Sequence, residues 1–252
     1  MNIRVIVATL GNRPSLRETL VSISDQKIEG LEVKIVVPDD QILNVMKLAE
    51  EVGLSNYQLI QDPGKGFSAA INQGFAAKGD FNYFCWINDD DKLAEGSLNR
   101  SVNILEKDPD SHAVVGSLGY LLGNKSRRIT NRVSKLIFIT SKIGPNLIPQ
   151  PGSLIRRSVI KNDVPLNENY KYAMDLDLWL KILNLGKIRT IKEIQAFMRW
   201  HAGSITISNR SEATSEAFQI RYRNAQTISL KIFIIVFYIP TKILSSLLSK
   251  IN

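Results

Sequence analysis

The chain has 252 residues, of which 44% are apolar and 22% charged, with a formal net charge of +8. It is long enough to bury its own core and too apolar for a disordered chain. One cysteine (Cys85) and two histidines exclude a disulfide framework, a multi-cysteine zinc site and a His-rich metal cage.

The predicted elements alternate over the first hundred residues. Ile3–Ala8 is a short β-branched strand. Leu16–Ser24 has helical spacing, with Leu16, Leu20 and Ile23 on one face and Ser15 placed to cap it. Leu31–Val37 reads as a strand, Asn44–Val52 as a helix and Tyr57–Gln61 as a third strand. Ser68–Lys78 reads as a helix of small and apolar residues. Phe81–Ile87 is a fourth strand and Glu95–Lys107 a helix. Strands alternating with crossover helices predict an α/β fold with a parallel sheet covered on both faces.

Beyond residue 110 the alternation loosens. Ala113–Leu122 reads as strand, and Lys125–Ser141 has no clear pattern. Pro145, Pro149, Pro151 and Gly152 mark a loop, and Leu154–Arg156 reads as a short strand. Asp175–Leu185 is a helix, Ile194–Trp200 a strand ending at His201, and a helical pattern runs from Glu212 onward. This divides the chain into an α/β domain over residues 1–210 and a C-terminal helical appendage over 211–252.

Charge is unevenly spread. Residues 1–124 carry 11 Lys/Arg against 17 Asp/Glu, and residues 125–252 carry 21 against 7. Lys125–Lys161 holds nine basic residues and no acid, and no acid occurs from Ala217 onward. An acidic half suits a bound cation. A basic half suits phosphate groups, nucleic acid or an anionic membrane face.

The run Trp86-Ile87-Asn88-Asp89-Asp90-Asp91 is the most informative. A buried strand ends in three carboxylates. Ligands of open α/β sheets bind at the carboxyl ends of the strands, and adjacent like charges call for neutralisation. Mg²⁺ or Mn²⁺ supplies it, taking one or two carboxylates and completing its shell with phosphate oxygens. A solvated acidic turn is the alternative.

Several segments in order resemble family 2 glycosyltransferases. Val7-Ala8-Thr9-Leu10-Gly11-Asn12-Arg13 resembles the family's first strand and turn. Ile35–Asp40 resembles its second strand and nucleotide-binding acid, and Gly64–Gly74 its Gly-rich loop and following helix. Trp86–Asp91 is similar to its Asp-x-Asp metal motif and Tyr172–Leu180 to its catalytic-base segment. Arg199-Trp200-His201-Ala202-Gly203-Ser204-Ile205-Thr206 is similar to its closing motif. The resemblance covers residues 3–206. It implies a GT-A nucleotide-diphospho-sugar transferase fold, a mostly parallel central sheet flanked by helices, and inverting, metal-dependent transfer.

Carried onto these positions, the resemblance implies Asp175 as catalytic base and Asp90 and His201 as metal ligands, with the diphosphate an alternative partner for His201. It implies nucleotide contacts from Thr9, Arg13, Asp39, Asp62, Lys65, Asn72, Asn88 and Asp89, with Asp40 competing with Asp39 for the base edge. Gln150 and Ser204 fall on the diphosphate or acceptor side. Two positions depart from the pattern: Asn88 replaces the first metal-motif aspartate, and Met174 replaces the acid before Asp175. The donor implied is a nucleotide-diphosphate sugar, with UDP-sugars first. The acceptor is a glycan or lipid-linked hydroxyl in surface polysaccharide synthesis, and the cofactor is Mn²⁺ or Mg²⁺.

Ile232–Ile239 is a run of eight apolar residues closed by Pro240. A spanning helix needs about 20, and the wider window includes Lys231 and Lys242. An interfacial helix pair on an anionic leaflet fits the pattern. Packing on the domain, or on a second copy in a homo-oligomer, is the alternative. No basic segment followed by an apolar core opens the chain. The expected location is therefore cytoplasmic, peripheral on the inner membrane face.

Two other function classes compete with this reading. A sugar-phosphate nucleotidyltransferase calls for a Gly-rich basic loop after the first strand, of which Leu10-Gly11-Asn12-Arg13 is a poor version. A basic nucleic-acid-binding module would use residues 125–161, but only Phe138 offers an aromatic face there. Nucleic acid is not an expected partner.

Overall fold

Strands β1 (Ile3–Ala8), β2 (Leu31–Val37), β3 (Tyr57–Gln61) and β4 (Tyr83–Asn88) run parallel, in the spatial order β3-β2-β1-β4. The structure is a computed structural model and describes residues 2–122, 125–127, 136–199 and 209–248. Connecting helices are α1 (Leu16–Ser24), α2 (Ile42–Glu51), α3 (Phe67–Ala76) and α4 (Ser97–Lys107).

The strands are rich in apolar residues because both faces of the sheet are covered, and the charged residues among them pair with one another, Glu32 with Arg4 and Lys34. Successive side chains point to opposite faces. Ile3, Val5 and Val7 join Leu16, Leu20 and Ile23 of α1 and Leu98, Val102 and Leu105 of α4 in one core. Ile6, Phe84 and Trp86 join Ile71 and Phe75 of α3 in the other. Each such side chain contributes about 1.5–3 kcal/mol on burial. Gly74 sets how closely α3 lies on the sheet, since a Cβ there would stand 2.6 Å from Ile6 Cγ2.

The sheet continues with β8 (Leu154–Arg156), β6 (Ser111–Leu122), β9 (Lys187–Arg199) and β5 (Lys92–Leu93), and β7 (Lys125–Arg127) pairs with β6. Here the directions mix. β8 is antiparallel to both β4 and β6, β6 and β9 are parallel, and β5 is antiparallel to β9. Strand β9 starts at Lys187, well before the predicted Ile194. Its first half carries Lys187, Arg189, Lys192 and Glu193, so its polarity hid a strand that pairs along β6. Ser15 precedes α1 as expected, but its side chain makes no capping bond.

Helix α5 (Leu136–Ile143) emerges from the unpatterned stretch and buries Ile137 and Ser141. Helix α6 (Met174–Leu185) follows the 144–173 segment. Helix α7 (Arg210–Asn224) packs on α6, with Ile220 and Ala217 against Tyr170, Ala173, Leu176 and Leu180.

Helix α8 (Ile228–Leu248) runs through Pro240 rather than stopping there. Pro240 removes one backbone donor, and the Thr241 hydroxyl donates to the neighbouring carbonyls of Phe237 and Tyr238, each at 2.8 Å. One stripe of α8 faces α7. Ile234 is buried, Tyr238 stacks on Phe218 at 4.1 Å, and the Lys242 ammonium donates to Ser211 and Ser215. Most of its remaining apolar side chains face out.

Candidate active site

The chain runs outward from β1 to β2 and β3, then returns to β4 on the other side of β1. The order therefore reverses between β1 and β4. In parallel α/β sheets the ligand crevice opens at the carboxyl ends of the strands at such a point. Ala8 pairs with Asn88, which brings Thr9 beside Asp89. The Thr9 hydroxyl donates to Asp89 Oδ2 at 2.7 Å and accepts the Gly11 N–H at 2.9 Å. Gly11 has φ +78°, and a Cβ there would stand 2.6 Å from Gln41 Cβ, so the turn after β1 needs glycine.

Asp89, Asp90 and Asp91 are only 6%, 8% and 1% exposed. Arg13 reaches across to them, its Nη1 lying 2.6 Å from Asp90 Oδ2 and 3.4 Å from Asp89 Oδ1. Burial raises the Asp89 pKa, against the Thr9 hydrogen bond and the Arg13 charge. Asp91 is a brace: it accepts from Asn88 Nδ2 at 3.0 Å and from the Arg199 N–H at 3.1 Å. Burial, then the Asp90 charge, pushes it up to about 7. Arg199 Nε also donates to the Asp90 carbonyl, so the end of β9 is fixed on the acidic cluster. His201 and Ser204 lie outside the described residues.

The other carboxyl ends carry the remaining donor-side candidates. Asp39 and Asp40 share a single 3-10 turn after β2, and both are exposed. The Asp40 carboxylate accepts from Gln41 Nε2 at 2.9 Å. Asp62 follows β3, with its N–H on the Val37 carbonyl, and its carboxylate caps Gly64 N at 2.8 Å. Lys65 stands exposed between two glycines with φ +68° and +95°.

Asn72 stands apart from these. It is buried on α3 and its amide is used on a neighbouring loop. Nδ2 donates to Leu166 O at 2.9 Å and to Glu168, while Oδ1 accepts the Leu166 N–H at 3.0 Å. It ties the 166–168 segment to α3.

Gln150 donates to the Trp86 carbonyl at 2.8 Å, which sets the 149–153 turn against the end of β4. Gly152 (φ +73°) completes that turn where a Cβ would stand 2.7 Å from the Gln195 carbonyl.

Asp175 opens α6, as the helical spacing predicts. Its carboxylate accepts from Leu176 N at 2.8 Å and from Asn146 Nδ2 at 3.0 Å. Burial nevertheless pushes it up to about 6, against those bonds and the Arg221 charge. Asp177 turns the other way, to Lys181 at 2.6 Å and Asn224 at 3.1 Å. No sequence pattern points to Asn146 or Arg221. Asn146 sits in a Gly-Pro-Asn turn, and Arg221 is one of many basic residues near the C-terminus.

Among the described residues, no three of His, Cys, Asp and Glu form a complete metal-ligand set. A magnesium-type site does not need one, since one or two carboxylates and substrate phosphates suffice. Asp89 and Asp90 meet that requirement: hard oxygen donors, nearly buried, and in the case of Asp89 held above the usual carboxylate range by burial.

Compared with known proteins, residues 4–163 match the model of glycosyl transferase family 2. An uncharacterized glycosyltransferase of Rickettsia prowazekii is 27% identical over 213 residues, covering 81% of this chain and 65% of the relative. A second, from Rickettsia typhi, is 26% identical over the same coverage. The chain thus spans about two thirds of the length of these relatives. Among solved structures, S. aureus TarS in complex with UDP-GlcNAc superposes with a TM-score of 0.69 at 17% identity, over 94% of this chain and 71% of TarS. A mannosyltransferase from Pyrobaculum calidifontis in complex with GDP-Man and Mn²⁺ gives 0.66 at 16% identity, over 100% of this chain and 75% of that one. At these identities the likeness is one of fold.

Proposed function

The chain belongs to glycosyl transferase family 2, and from that premise we propose that it is an inverting, metal-dependent glycosyltransferase. The donor is a nucleotide-diphosphate sugar, UDP-sugars first. The acceptor is a hydroxyl of a glycan or lipid-linked glycan in surface polysaccharide synthesis. The observation that carries this reading is the Thr9–Asp89–Asp90–Arg13 cluster at the reversal of the parallel strands.

Donor binding follows from the carboxyl edge of the sheet. Asp39, or its neighbour Asp40, accepts a hydrogen bond from the uracil imide. Asp62, Lys65 and the backbone of Gly64 and Gly66 line the nucleotide side, with Asn88 and Asp89 under the ribose and Arg13 near the phosphates. A Mg²⁺ or Mn²⁺ ion held by Asp90, with Asp89 beside it, would supply Lewis-acid stabilisation of the departing diphosphate. His201 is the proposed further ligand. Gln150 and Ser204 belong to the diphosphate or acceptor side.

Asp175 is the general base. The acceptor oxygen attacks the anomeric carbon on the face opposite the diphosphate, and the bond to the diphosphate oxygen breaks with inversion. The hydroxyl proton passes to the Asp175 carboxylate. A carboxyl held near 6 suits this role, being ionised at neutral pH yet more basic than an ordinary aspartate.

Helix α8 supports peripheral docking on an anionic membrane face from the cytoplasmic side. Ile232, Phe233, Val236 and Ile239 are each 57–60% exposed, and contiguous outward-facing apolar side chains of this kind mark an interaction surface. Lys231 and Lys242 bracket it in sequence and turn toward α7, onto the Tyr222 ring and the Ser211 and Ser215 hydroxyls, and no acid follows Glu216. Among the described residues no helix is long and apolar enough to cross a membrane, so α8 would lie in the interface. A second copy covering this face, in a homo-oligomer, is the competing outcome.

The test of the enzyme reading is calorimetric titration with UDP, GDP and dTDP, each with and without Mn²⁺. Metal-dependent binding of UDP supports it. Binding of GDP or dTDP instead keeps the class and changes the donor. Failure of a folded protein to bind any of them overturns it.

A further inference from the structure

Helix α7 grips the chain that leads into Asp175. The Glu216 carboxylate accepts three consecutive backbone N–H groups, from Lys171 at 2.8 Å and from Tyr172 and Ala173 at 2.7 Å each. Hydrogen bonds to an ionised acceptor are roughly twice as strong as neutral ones. These three amides lie immediately before α6, whose second residue is Asp175.

The same helix meets this region at further points. Arg223 donates to the Tyr170 hydroxyl at 3.2 Å, and Asn224 to Asp177 at 3.1 Å. Arg221 donates to the Ser141 carbonyl on α5 at 2.9 Å, just upstream of the Asn146 that bonds Asp175. Ala217 and Ile220 fill the space between, against Tyr170, Ala173, Leu176 and Leu180. Glu216 is the last acid of the chain. It lies at the end of the second turn of α7, facing those amides.

We propose that Glu216 is a positioning residue for Asp175: by holding the 171–173 backbone it fixes the direction in which the base enters the site. The proposal rests on Asp175 being the base. A misplacement of about 1 Å at a reacting group costs on the order of 10²-fold in rate, so the clamp acts on turnover rather than on donor binding.

The test uses the full chain and three variants, Glu216→Ala, Glu216→Gln and Asp175→Asn. Activity is UDP, GDP or dTDP release with water as acceptor, from whichever sugar nucleotide of a panel turns over. Hydrogen exchange at residues 171–173 is read in parallel. Glu216→Ala is expected to lower kcat about tenfold or more, with donor KM and nucleotide affinity unchanged and exchange at 171–173 accelerated. Glu216→Gln keeps an acceptor oxygen and is expected to fall between Ala and wild type in both readouts.

Wild-type kcat in a folded Glu216→Ala, or loss of nucleotide affinity in step with kcat, overturns the proposal. If Glu216→Ala does not fold, wild-type kcat and exchange in Glu216→Gln overturn it. Retained turnover in Asp175→Asn would instead refute the base assignment, a result visible without reference to Glu216.

Discussion

The Thr9 hydroxyl donates to Asp89 across 2.7 Å, joining the ends of two parallel strands that are 80 residues apart in sequence. The bond holds down a carboxylate that burial pushes up. Thr9→Val removes the donor while keeping the shape. Net loss of a buried hydrogen bond to a charged group is about 1.5–3 kcal/mol. Nucleotide affinity by calorimetry is expected to fall about tenfold or more, with Thr9→Ser close to wild type.

Asp175→Asn is expected to abolish turnover, by about 10²–10⁴-fold, and to leave nucleotide affinity intact. Wild-type kcat/KM should rise with pH through about 6 and flatten above it, because the base must be ionised. The stability effect has the opposite sign. A carboxyl whose folded pKa is raised contributes stability in acid that is lost as pH rises through the folded value. At pH 7.5 the ionised Asp175 therefore costs stability, even with the Arg221 attraction included. Asp175→Asn should gain roughly 1–2 kcal/mol in thermal unfolding, and this gain should vanish near pH 4.

Asp90→Ala should remove the metal-dependent part of nucleotide binding. In the wild type, EDTA should stop donor turnover and Mn²⁺ restore it. Asp90→Ala titrated with UDP should give the same affinity with and without Mn²⁺. A remaining metal effect would move the ligand role away from Asp90.

Gly74→Ala tests the seat of α3 on β1. The added Cβ would stand 2.6 Å from Ile6 Cγ2 in the buried sheet face. Overpacking of this kind costs about 1–3 kcal/mol, expected as a lower urea midpoint with an unchanged slope.

Helix α8 gives a test separate from chemistry. The pair Phe233→Asp and Val236→Asp changes two outward-facing side chains, 57% and 60% exposed. Wild type is expected to co-sediment with vesicles rich in phosphatidylglycerol, less so as salt rises. The double variant should remain in the supernatant with donor turnover unchanged. Sedimentation equally strong in both would locate the contact elsewhere.

Apolar periodicity made much of the parallel half legible. Ile3–Ala8 and Leu31–Val37 are short and rich in β-branched residues, which reads as strand, and the carboxylates after Ile87 fall at a strand end, where ligands bind. Side-chain partnerships were less legible. Nothing in the sequence pairs Thr9 with Asp89, or turns the Asn72 amide toward Leu166, because those contacts depend on register and topology. The start of β9 was hidden for a different reason: its exposed half alternates charged residues with isoleucine, and local polarity concealed a strand set by its pairing with β6. Asn146, Arg221 and Glu216 belong to no local pattern and meet Asp175 and its approach only through helix packing.

The region matching the family model ends at residue 163, upstream of Asp175. The 170–177 segment is tied to α7 through Glu216, Arg223 and Asn224 and through the Ile220 cluster. For anyone recombining halves of related enzymes, this fixes where a crossover can fall. A graft that ends after α6 would separate the 170–177 segment from the helix that holds it. A graft that runs from about residue 164 through Asn224 would transfer Asp175 together with the helix that packs on its segment.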